Sequence, residues 1–142
     1  EDNSLTYGLS ISELQAQGII DGNNNLTPSY DAATANWGGD WRMPTKAEQQ
    51  ELRDNCTWIW TTQNGVKGYK VTGTNGNSIF LPAAGYRLGS SLYYAGECGY
   101  YWSSAPDESL SDSAYGLYFD RGILSVGWGS RYRGRSVRPV SE

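Results

Sequence analysis

The sequence predicts a single α+β domain from its length, its composition and its order of short segments. The 142 residues suffice for one sizeable core and are few for two. The chain contains 18 glycines, 11 tyrosines and 6 tryptophans. Because glycine weakens helices and aromatic residues suit pleated sheets, this composition favours turns and short strands. We therefore expect one domain over residues 1–142, with short helices followed by short strands.

Charge and residue usage exclude several classes of function. The chain has 11 basic and 15 acidic residues, a net charge of −4, and no histidine. Mild acidity argues against nucleic-acid binding, which depends on a basic surface. Without histidine there is no His-dependent catalytic triad and no His metal ligand. No apolar run approaches the roughly 20 residues of a membrane-spanning helix, so we expect no direct membrane insertion.

Capping patterns predict three short helices in the first 55 residues. Ser12 and Gln15 form a capping-box pattern for a helix over residues 12–17. Ser29 is the expected N-cap of a second helix, which ends at the glycines after residue 37. Thr45 and Glu48 form a stronger capping box for a helix over residues 46–54. Helices this short need to dock onto other elements to be stable.

From residue 57 onward the pattern is that of short strands separated by turns. Asn-Gly pairs at residues 64–65 and 75–76 predict hairpins, because type I′ turns need two residues with positive φ. In the sixth strand the apolar and the small residues alternate, so only one set faces the core. The expected strands are residues 58–62, 68–72, 78–81, 100–104, 114–119, 124–128 and 136–140.

Four segments resemble a known family in their order and content. Residues 31–45, 79–86, 99–104 and 134–140 look like the major paralogous domain of Fibrobacter and Bacteroides surface proteins. That domain belongs to the C-type-lectin-like folds of the formylglycine-generating-enzyme type. The resemblance covers residues 31–140. It identifies residues 1–30 as a member-specific N-terminal extension packed against the core.

The resemblance implies an α+β, C-type-lectin-like fold. Two short helices, near residues 31–37 and 46–54, would flank a twisted, mostly antiparallel sheet, with long loops in the C-terminal half. The two ends of the domain would lie close together. Under this interpretation Trp37, Trp41, Trp102 and Trp128 are mainly core residues.

Some members of this fold are variable proteins of diversity-generating retroelements, which convert asparagine codons into many others by mutating adenines. This chain has nine asparagines up to Asn77 and none in the remaining 65 residues. Turn-rich sequence normally contains asparagine, so the depletion needs a cause. Codon conversion is one cause, and chance or simple divergence is the other. Conversion would place a variable region at about residues 87–133.

Between the scaffold motifs of that region lie irregular positions, which we predict to form a ligand-binding face. We expect their side chains to be mostly exposed and to converge on one face, above buried Tyr115, Leu117, Phe119, Val126 and Trp128. The predicted ligand-binding residues are Leu88, Tyr93, Tyr94, Asp107, Leu110, Asp112, Ser113, Gly116, Asp120, Ile123, Ser125, Gly127, Gly129, Ser130, Tyr132 and Arg133.

The function expected from the resemblance is a non-enzymatic display domain of a cell-surface or phage receptor-binding protein. It would bind an unknown protein or glycan on another cell or host surface, without a cofactor, metal or catalytic residue. The implied location is extracellular or at the cell surface, and any secretion signal lies outside this sequence. The basic residues at 131, 133, 135 and 138 are interpreted as a surface stripe, with Arg138 in a scaffold ion pair.

Two alternatives remain open at this point. A formylglycine-generating oxidoreductase uses a cysteine pair in its C-terminal half, where this chain has Cys98 alone. A calcium-dependent sugar-binding domain would need an oxygen-rich loop, to which Asp107, Glu108 and Asp112 could contribute. Cys56 and Cys98 could pair in an exported protein, although we expect two free thiols.

Overall fold

The structure, a computed structural model, describes residues 6–141 and has α+β architecture with mostly antiparallel strand pairing. The helices are α1 (Ile11–Ala16), α2 (Ala32–Trp37) and α3 (Lys46–Asn55). The strands are β1 (Trp41–Arg42), β2 (Thr57–Gln63), β3 (Val66–Thr72), β4 (Ser78–Pro82), β5 (Tyr86–Leu88), β6 (Ser91–Tyr93), β7 (Gly99–Pro106), β8 (Ser113–Phe119), β9 (Leu124–Ser130) and β10 (Val140–Ser141).

The helix caps agree with the sequence at α3 and differ at α1 and α2. At α3 the Thr45 hydroxyl accepts a bond from the Glu48 backbone N–H at 3.1 Å, and the Glu48 carboxylate accepts one from the Thr45 N–H at 2.8 Å. The predicted caps Ser12 and Ser29 are wrong. Ser10 caps α1 in a reciprocal box with its N3 residue, and the Asp31 carboxylate caps α2. An acidic side chain at the N-cap can serve two N–H groups at once.

Strand pairing is divided among four sheets in the described residues. Two have three strands, in the orders β2-β3-β4 and β7-β8-β9, and two are the pairs β1-β10 and β5-β6. The predicted turn at Asn64-Gly65 is confirmed, with φ of 50° and 78° between the paired ends of β2 and β3. At residues 75–76 the connection is longer, because Thr72 pairs with Ser78.

The prediction from the sequence missed one hairpin and made one strand too long. Strands β5 and β6 have three residues each, too few for an alternating pattern to be recognised. The strand expected at residues 136–140 is reduced to Val140 in β10, and Ser136 makes an isolated bridge to Tyr101. Since β1 pairs with β10, residues 41–42 and 140–141 lie side by side.

The core lies between the two three-stranded sheets. Tyr69 and Leu81 from one sheet meet Leu117 and Phe119 from the other, and all four are buried. The Phe119 ring lies edge-on to Tyr69, with 5.2 Å between centroids. A Cβ at Gly99 would overlap the Phe119 ring, so the glycine lets the ring lie against β7. Such dense aromatic packing gives the second sheet a rigid foundation.

Helix α3 and the N-terminal segment pack against this body. The Gln49 amide donates to the Tyr101 carbonyl at 3.1 Å, which fixes α3 to β7. Residues 6–30 have their own small cluster around Leu14, and the Leu26 N–H donates to the Ser104 carbonyl at 2.9 Å. Residues 6–30 are therefore attached to the end of β7.

Three of the four tryptophans expected in the core are exposed. Trp37 and Trp128 expose 62% of their surface, and Trp41 is exposed as well, whereas Trp102 is half-buried. Trp37 and Trp41 pack edge-to-face on each other, with centroids 5.7 Å apart, and so cover one another instead of the core. Trp128 lies on an edge strand, where one side has no neighbouring strand to bury it.

Candidate ligand-binding face

The β7–β8–β9 sheet has two chemically different faces. Its inner face carries the core residues of the paired strands and packs against α3, whose Lys46 ammonium lies 3.4 Å from the Tyr115 ring centroid. Side-chain alternation and the register of the paired strands assign the other residues to what we call the outer face. The outer face comprises Tyr100, Trp102, Ala114, Gly116, Tyr118, Ser125, Gly127 and Gly129.

A layer of tyrosines covers one half of the outer face. Tyr86 of the β5–β6 hairpin stacks on Tyr93 at 5.4 Å and lies edge-on to Tyr100 at 5.2 Å. Tyr100 in turn contacts Tyr118 at 5.0 Å. Tyr93 and Tyr94 expose 41% and 51% of their surfaces. The hairpin is thus anchored through Tyr86 and presents two further rings to solvent.

Two arginines lie on this aromatic layer. The Arg133 guanidinium carbon is 4.7 Å from the Tyr86 ring centroid, and that of Arg135 is 4.1 Å from Trp102 and 5.2 Å from Tyr100. Burial, and then the charge of Arg133, lower the pKa of Arg135 to about 10. In the part of the chain that the structure describes, neither guanidinium has a hydrogen bond or ion pair, and both Nε atoms are buried.

Arg135 runs across the sheet over glycines. A Cβ at Gly129 would overlap the Arg135 guanidinium, and a Cβ at Gly116 would lie 2.6 Å from the Tyr101 carbonyl oxygen and 3.4 Å from the Arg135 Nη1. Gly127 differs, because no atom lies within 4 Å of its virtual Cβ. The three glycines of the outer face therefore differ in role: Gly129 makes room for Arg135, Gly116 makes room mainly for the Tyr101 carbonyl oxygen, and Gly127 leaves an open patch.

The β8–β9 turn is fixed by Asp120. Its carboxylate accepts bonds from the Gly122 and Ile123 N–H groups and from the Tyr118 hydroxyl, each at 2.8 Å. These bonds, led by that of Gly122, hold the pKa of Asp120 below its usual range. The Tyr69 hydroxyl also donates to the Asp120 carbonyl at 2.9 Å. Asp120 is half-buried and occupied with the turn, so its carboxylate is a structural group.

The structure brings one part of the predicted face together. Tyr93 and Tyr94 join the outer face through Tyr86, and Arg133 lies on the same ring. Tyr132 is adjacent to Arg133 in the chain and exposed, as is Leu88 on the same hairpin as Tyr93. The predicted residues that gather on or beside the outer face are Leu88, Tyr93, Tyr94, Gly116, Ser125, Gly127, Gly129, Tyr132 and Arg133.

The other predicted residues lie elsewhere. Leu110 and Asp112 belong to the β7–β8 loop and Ile123 to the β8–β9 turn, at opposite ends of the seven-residue strand β8. At about 3.3 Å per residue these ends are roughly 20 Å apart. Ser130 shares its side of β9 with Val126, which belongs to the inner face. The expectation of convergence on a single face is therefore wrong for these residues.

Burial was also predicted wrongly for three side chains, those of Asp107, Ser113 and Trp128. Asp107 and Ser113 expose only 6% and 2% of their surfaces. The Asp107 carboxylate accepts bonds from the Ser109 and Leu110 N–H groups at 2.8 and 2.9 Å, and so it shapes the start of the loop. Gly116 and Gly129 are buried beneath Arg135, and Trp128, expected to be buried, is exposed.

Sequence reasoning missed Tyr86 and Arg135 as members of this site. Both lie within or beside motifs that were interpreted as scaffold, and both in fact combine packing with partial exposure. The spacing of the arginines at 131, 133 and 135 was the available signal. The ion pair expected for Arg138 is not observed among residues 6–141.

Apart from the outer face, the structure has a cleft where the N-terminal segment meets the end of β7. This cleft has a volume of about 420 Å³ and a largely apolar lining that includes Leu14, Tyr30, Met43 and Trp102. Arg131 closes one side, where its guanidinium donates to the Thr6 hydroxyl at 2.5 Å. Trp102 therefore separates the cleft from the arginine layer of the outer face.

The described residues contain no cluster of three or more cysteine, aspartate or glutamate side chains able to hold a metal ion. Cys56 and Cys98 are free thiols, as expected, and the Cys98 sulfur lies 3.8 Å from the Tyr118 hydroxyl. Within residues 6–141 no helix is long and apolar enough to span a bilayer.

Comparison with known families places most of this architecture in one group. The chain belongs to the family described as "Domain of unknown function (DUF8237)", whose model matches residues 45–140. The match begins at the N-cap of α3 and ends at the first residue of β10, so it includes the whole outer face. No curated protein and no solved structure matches the chain.

Proposed function

We propose that this chain is a non-enzymatic ligand-binding display domain on a C-type-lectin-like scaffold. One observation carries the proposal: exposed Tyr93 and Tyr94 lie against a half-buried arginine–aromatic layer that rests on a dense core, and Tyr132, next to Arg133 in the chain, is exposed as well. A monomer has no folding reason to expose so many large side chains next to each other. Tyrosine and arginine are enriched where proteins bind partners, since they give large contact areas.

The physical model is that of a paratope. Rigid elements hold the binding loops, so side chains on those loops can change at little cost in folding free energy. The β5–β6 hairpin fits this model, because Tyr86 anchors it while Leu88, Tyr93 and Tyr94 face solvent. The absence of asparagine after residue 77 supports diversification of the same region by codon conversion.

The proposed setting is an exported protein of a cell surface or a phage particle, with a protein or glycan of another cell as partner. Nucleic acid is not proposed, since the chain has a net charge of −4. The gene's surroundings test the diversification part. We expect a nearby reverse-transcriptase gene and a near-copy of the 3′ coding segment that differs only at adenines. A copy differing at all four bases alike would contradict it.

A pair of displayed libraries tests the binding part. One library randomises Leu88, Tyr93, Tyr94, Ser125 and Tyr132, and a matched control library randomises five core residues. The control positions are Val71, Leu81, Tyr101, Leu117 and Phe119.

We expect most members of the face library to keep the protease resistance of the parent, and most core variants to lose it. The face library should also yield binders to a purified test protein such as lysozyme. Equal loss of protease resistance in the two libraries would show that the face belongs to the folding core and would end the proposal.

A further inference from the structure

Strand β9 is an edge strand with an unused side. It pairs with β8 from Ser113↔Ser130 to Phe119↔Leu124. On its other side, no strand, isolated bridge or further backbone hydrogen bond engages residues 124–129 within the described part of the chain. Such an edge presents a row of N–H and C=O groups to which another extended chain can bind.

This edge lacks the features that usually protect edge strands. Leu124–Ser130 contains no charged residue and no proline, and Trp128 exposes 62% of its surface. Natural proteins commonly protect a free edge with lysine, proline, a bulge or a covering loop. Gly127 has no atom within 4 Å of its virtual Cβ, so a second backbone can approach closely there. The edge therefore carries no charged residue or proline that would block pairing, and it is sterically open at Gly127.

Arg135 places a positive charge beside this edge. Its guanidinium lies over Gly129 in β9, with Nη2 as the atom closest to the virtual Cβ. A strand added to β9 would run about 4.8 Å away, and alternate side chains would lie on the outer face. One of those side chains would stand next to the end of the Arg135 guanidinium.

That guanidinium has no anionic partner of its own. Among residues 6–141 Arg135 makes no ion pair, its Nε is buried without an acceptor, and Arg133 adds a second positive charge nearby. Because Nε is enclosed, an acceptor has to come to the Nη end. A carboxylate suits that end, since charge-assisted N–H···O bonds are about twice as strong as neutral ones.

We propose that β9 binds an extended, acidic segment of a partner protein as a fourth strand of the sheet, with an aspartate or glutamate side chain on Arg135. The inference rests on the proposed ligand-binding function and names its partner class. A second copy of this chain fits less well. Pairing of two β9 edges would bring together two outer faces, each with Arg133 and Arg135 and with no acidic residue in β9.

The test uses the wild-type protein and synthetic seven-residue peptides, followed by NMR. The first peptide alternates valine with glutamate, and the second replaces each glutamate by glutamine. We expect shift changes confined to Leu124–Ser130 and the Arg135 side chain. The Kd of the glutamate peptide should be at least tenfold lower than that of the glutamine peptide, and the difference should shrink in high salt.

Two N-methylated peptides test the strand geometry. Successive N–H groups of a strand point to opposite sides, so methylating all glutamates blocks one edge of the peptide and methylating all valines blocks the other. We expect one of these peptides to lose binding and the other to keep it. Equal binding by both would overturn the added strand, and equal binding by the glutamine peptide would overturn the carboxylate site.

A protein variant gives a second measurement. Arg135→Lys keeps the positive charge but loses the planar guanidinium. We expect this variant to raise the Kd of the glutamate peptide at least threefold and to leave the Kd of the glutamine peptide nearly unchanged. Lys70→Gln, at an exposed residue of β3, is the control and should bind like wild type. If Arg135→Lys does not fold, the peptide series on the wild-type protein decides.

Two other results would assign the β9 edge to a different partner or to none. They also separate this inference from the proposed ligand-binding function. Concentration-dependent dimerisation with shift changes in β9 and no peptide would assign the edge to a second copy and overturn the inference. Absence of any peptide effect at β9 would do the same. In either case, recovery of binders from the face library would leave the proposed ligand-binding function standing, whereas failure of both would remove both.

Discussion

The Asp31 carboxylate accepts hydrogen bonds from the Met43 backbone N–H through both oxygens, at 3.1 and 2.9 Å. The same carboxylate caps α2 through the Ala33 and Thr34 N–H groups. One buried side chain therefore fixes both the start of a helix and the chain just after β1. Its four contacts join segments that are 12 residues apart.

Asp31→Ala is expected to lower the free energy of unfolding by about 2–4 kcal/mol. The loss combines a missing helix cap with a buried Met43 N–H left without an acceptor. Urea denaturation followed by tryptophan fluorescence measures it. Asp40→Ala, at an exposed residue, is the control and should change stability by less than about 0.5 kcal/mol. Equal effects in the two variants would contradict the role given to Asp31.

Substitution by alanine is expected to have opposite effects on stability at two glycines of β9. Gly129→Ala should cost about 1–3 kcal/mol, because its methyl group would overlap the Arg135 guanidinium. Gly127→Ala has open space and should be neutral or stabilising by up to about 1 kcal/mol, since alanine has less backbone entropy to lose. Chemical denaturation of both variants decides, and a destabilised Gly127→Ala would disagree with the open patch.

We expect the protein to lose stability in acid when the Glu48 carboxylate becomes protonated. Bonds from Arg42, at 2.7 and 2.8 Å, and from the Thr45 N–H lower its pKa from 4.5 to about 2. Because the folded-state pKa is the lower one, this stabilisation is present above pH 4.5 and is lost as the pH falls from 4.5 towards 2.

The measurement compares unfolding free energies at pH 6 and pH 3. Both side chains are about one-third exposed, so solvent screening limits the effect to about 1 kcal/mol. Wild type should lose that much more than Glu48→Gln, which keeps the capping geometry without the charge. Glu51→Gln, exposed on the same helix, should follow wild type. If the unfolding free energy of all three proteins fell by the same amount between pH 6 and pH 3, the Glu48 ion pair would not contribute to stability.

Tyr94 has a backbone conformation that favours glycine, with φ of +56°. Tyr94→Gly is therefore expected to leave stability unchanged or to raise it by up to about 1 kcal/mol, despite the lost contact with Tyr86. Tyr93→Gly, at a neighbouring exposed strand residue with ordinary φ, should lower stability by about 1 kcal/mol. Thermal melts of the pair test this, and a large loss at Tyr94 would mean that its ring supports the fold.

Local signals in the sequence were sufficient where one interaction dominates. The Thr45–Glu48 box and the Asn64-Gly65 turn were predicted correctly, because each depends on residues close in the chain. The cap of α2 was not, since two oxygen-bearing side chains lie close together and only tertiary contact favours Asp31. Capping chemistry names the candidate residues, and the surrounding fold selects among them.

Burial in the β7–β8–β9 sheet could be predicted only in part. Alternation in β8 correctly placed Leu117 and Phe119 in the core, but it said nothing about which strand lies at an edge. Trp128 is exposed for that reason. Arg135 was out of reach as well, because nothing in its neighbours reveals that it crosses to Gly129 and covers it. These contacts depend on strand order, which a periodic pattern does not contain.

The position of Arg135 over Gly116 and Gly129 constrains the order in which mutations can accumulate on this face. While the guanidinium stays there, most substitutions at these two glycines reduce folding, whereas Gly127 and the hairpin tyrosines remain free to vary. Once Arg135 is replaced, Gly129 becomes permissive, whereas Gly116 stays constrained by the Tyr101 carbonyl oxygen. Lineages that keep the arginine would therefore diversify around the margin of the face, and lineages that lose it would gain a new variable position at Gly129.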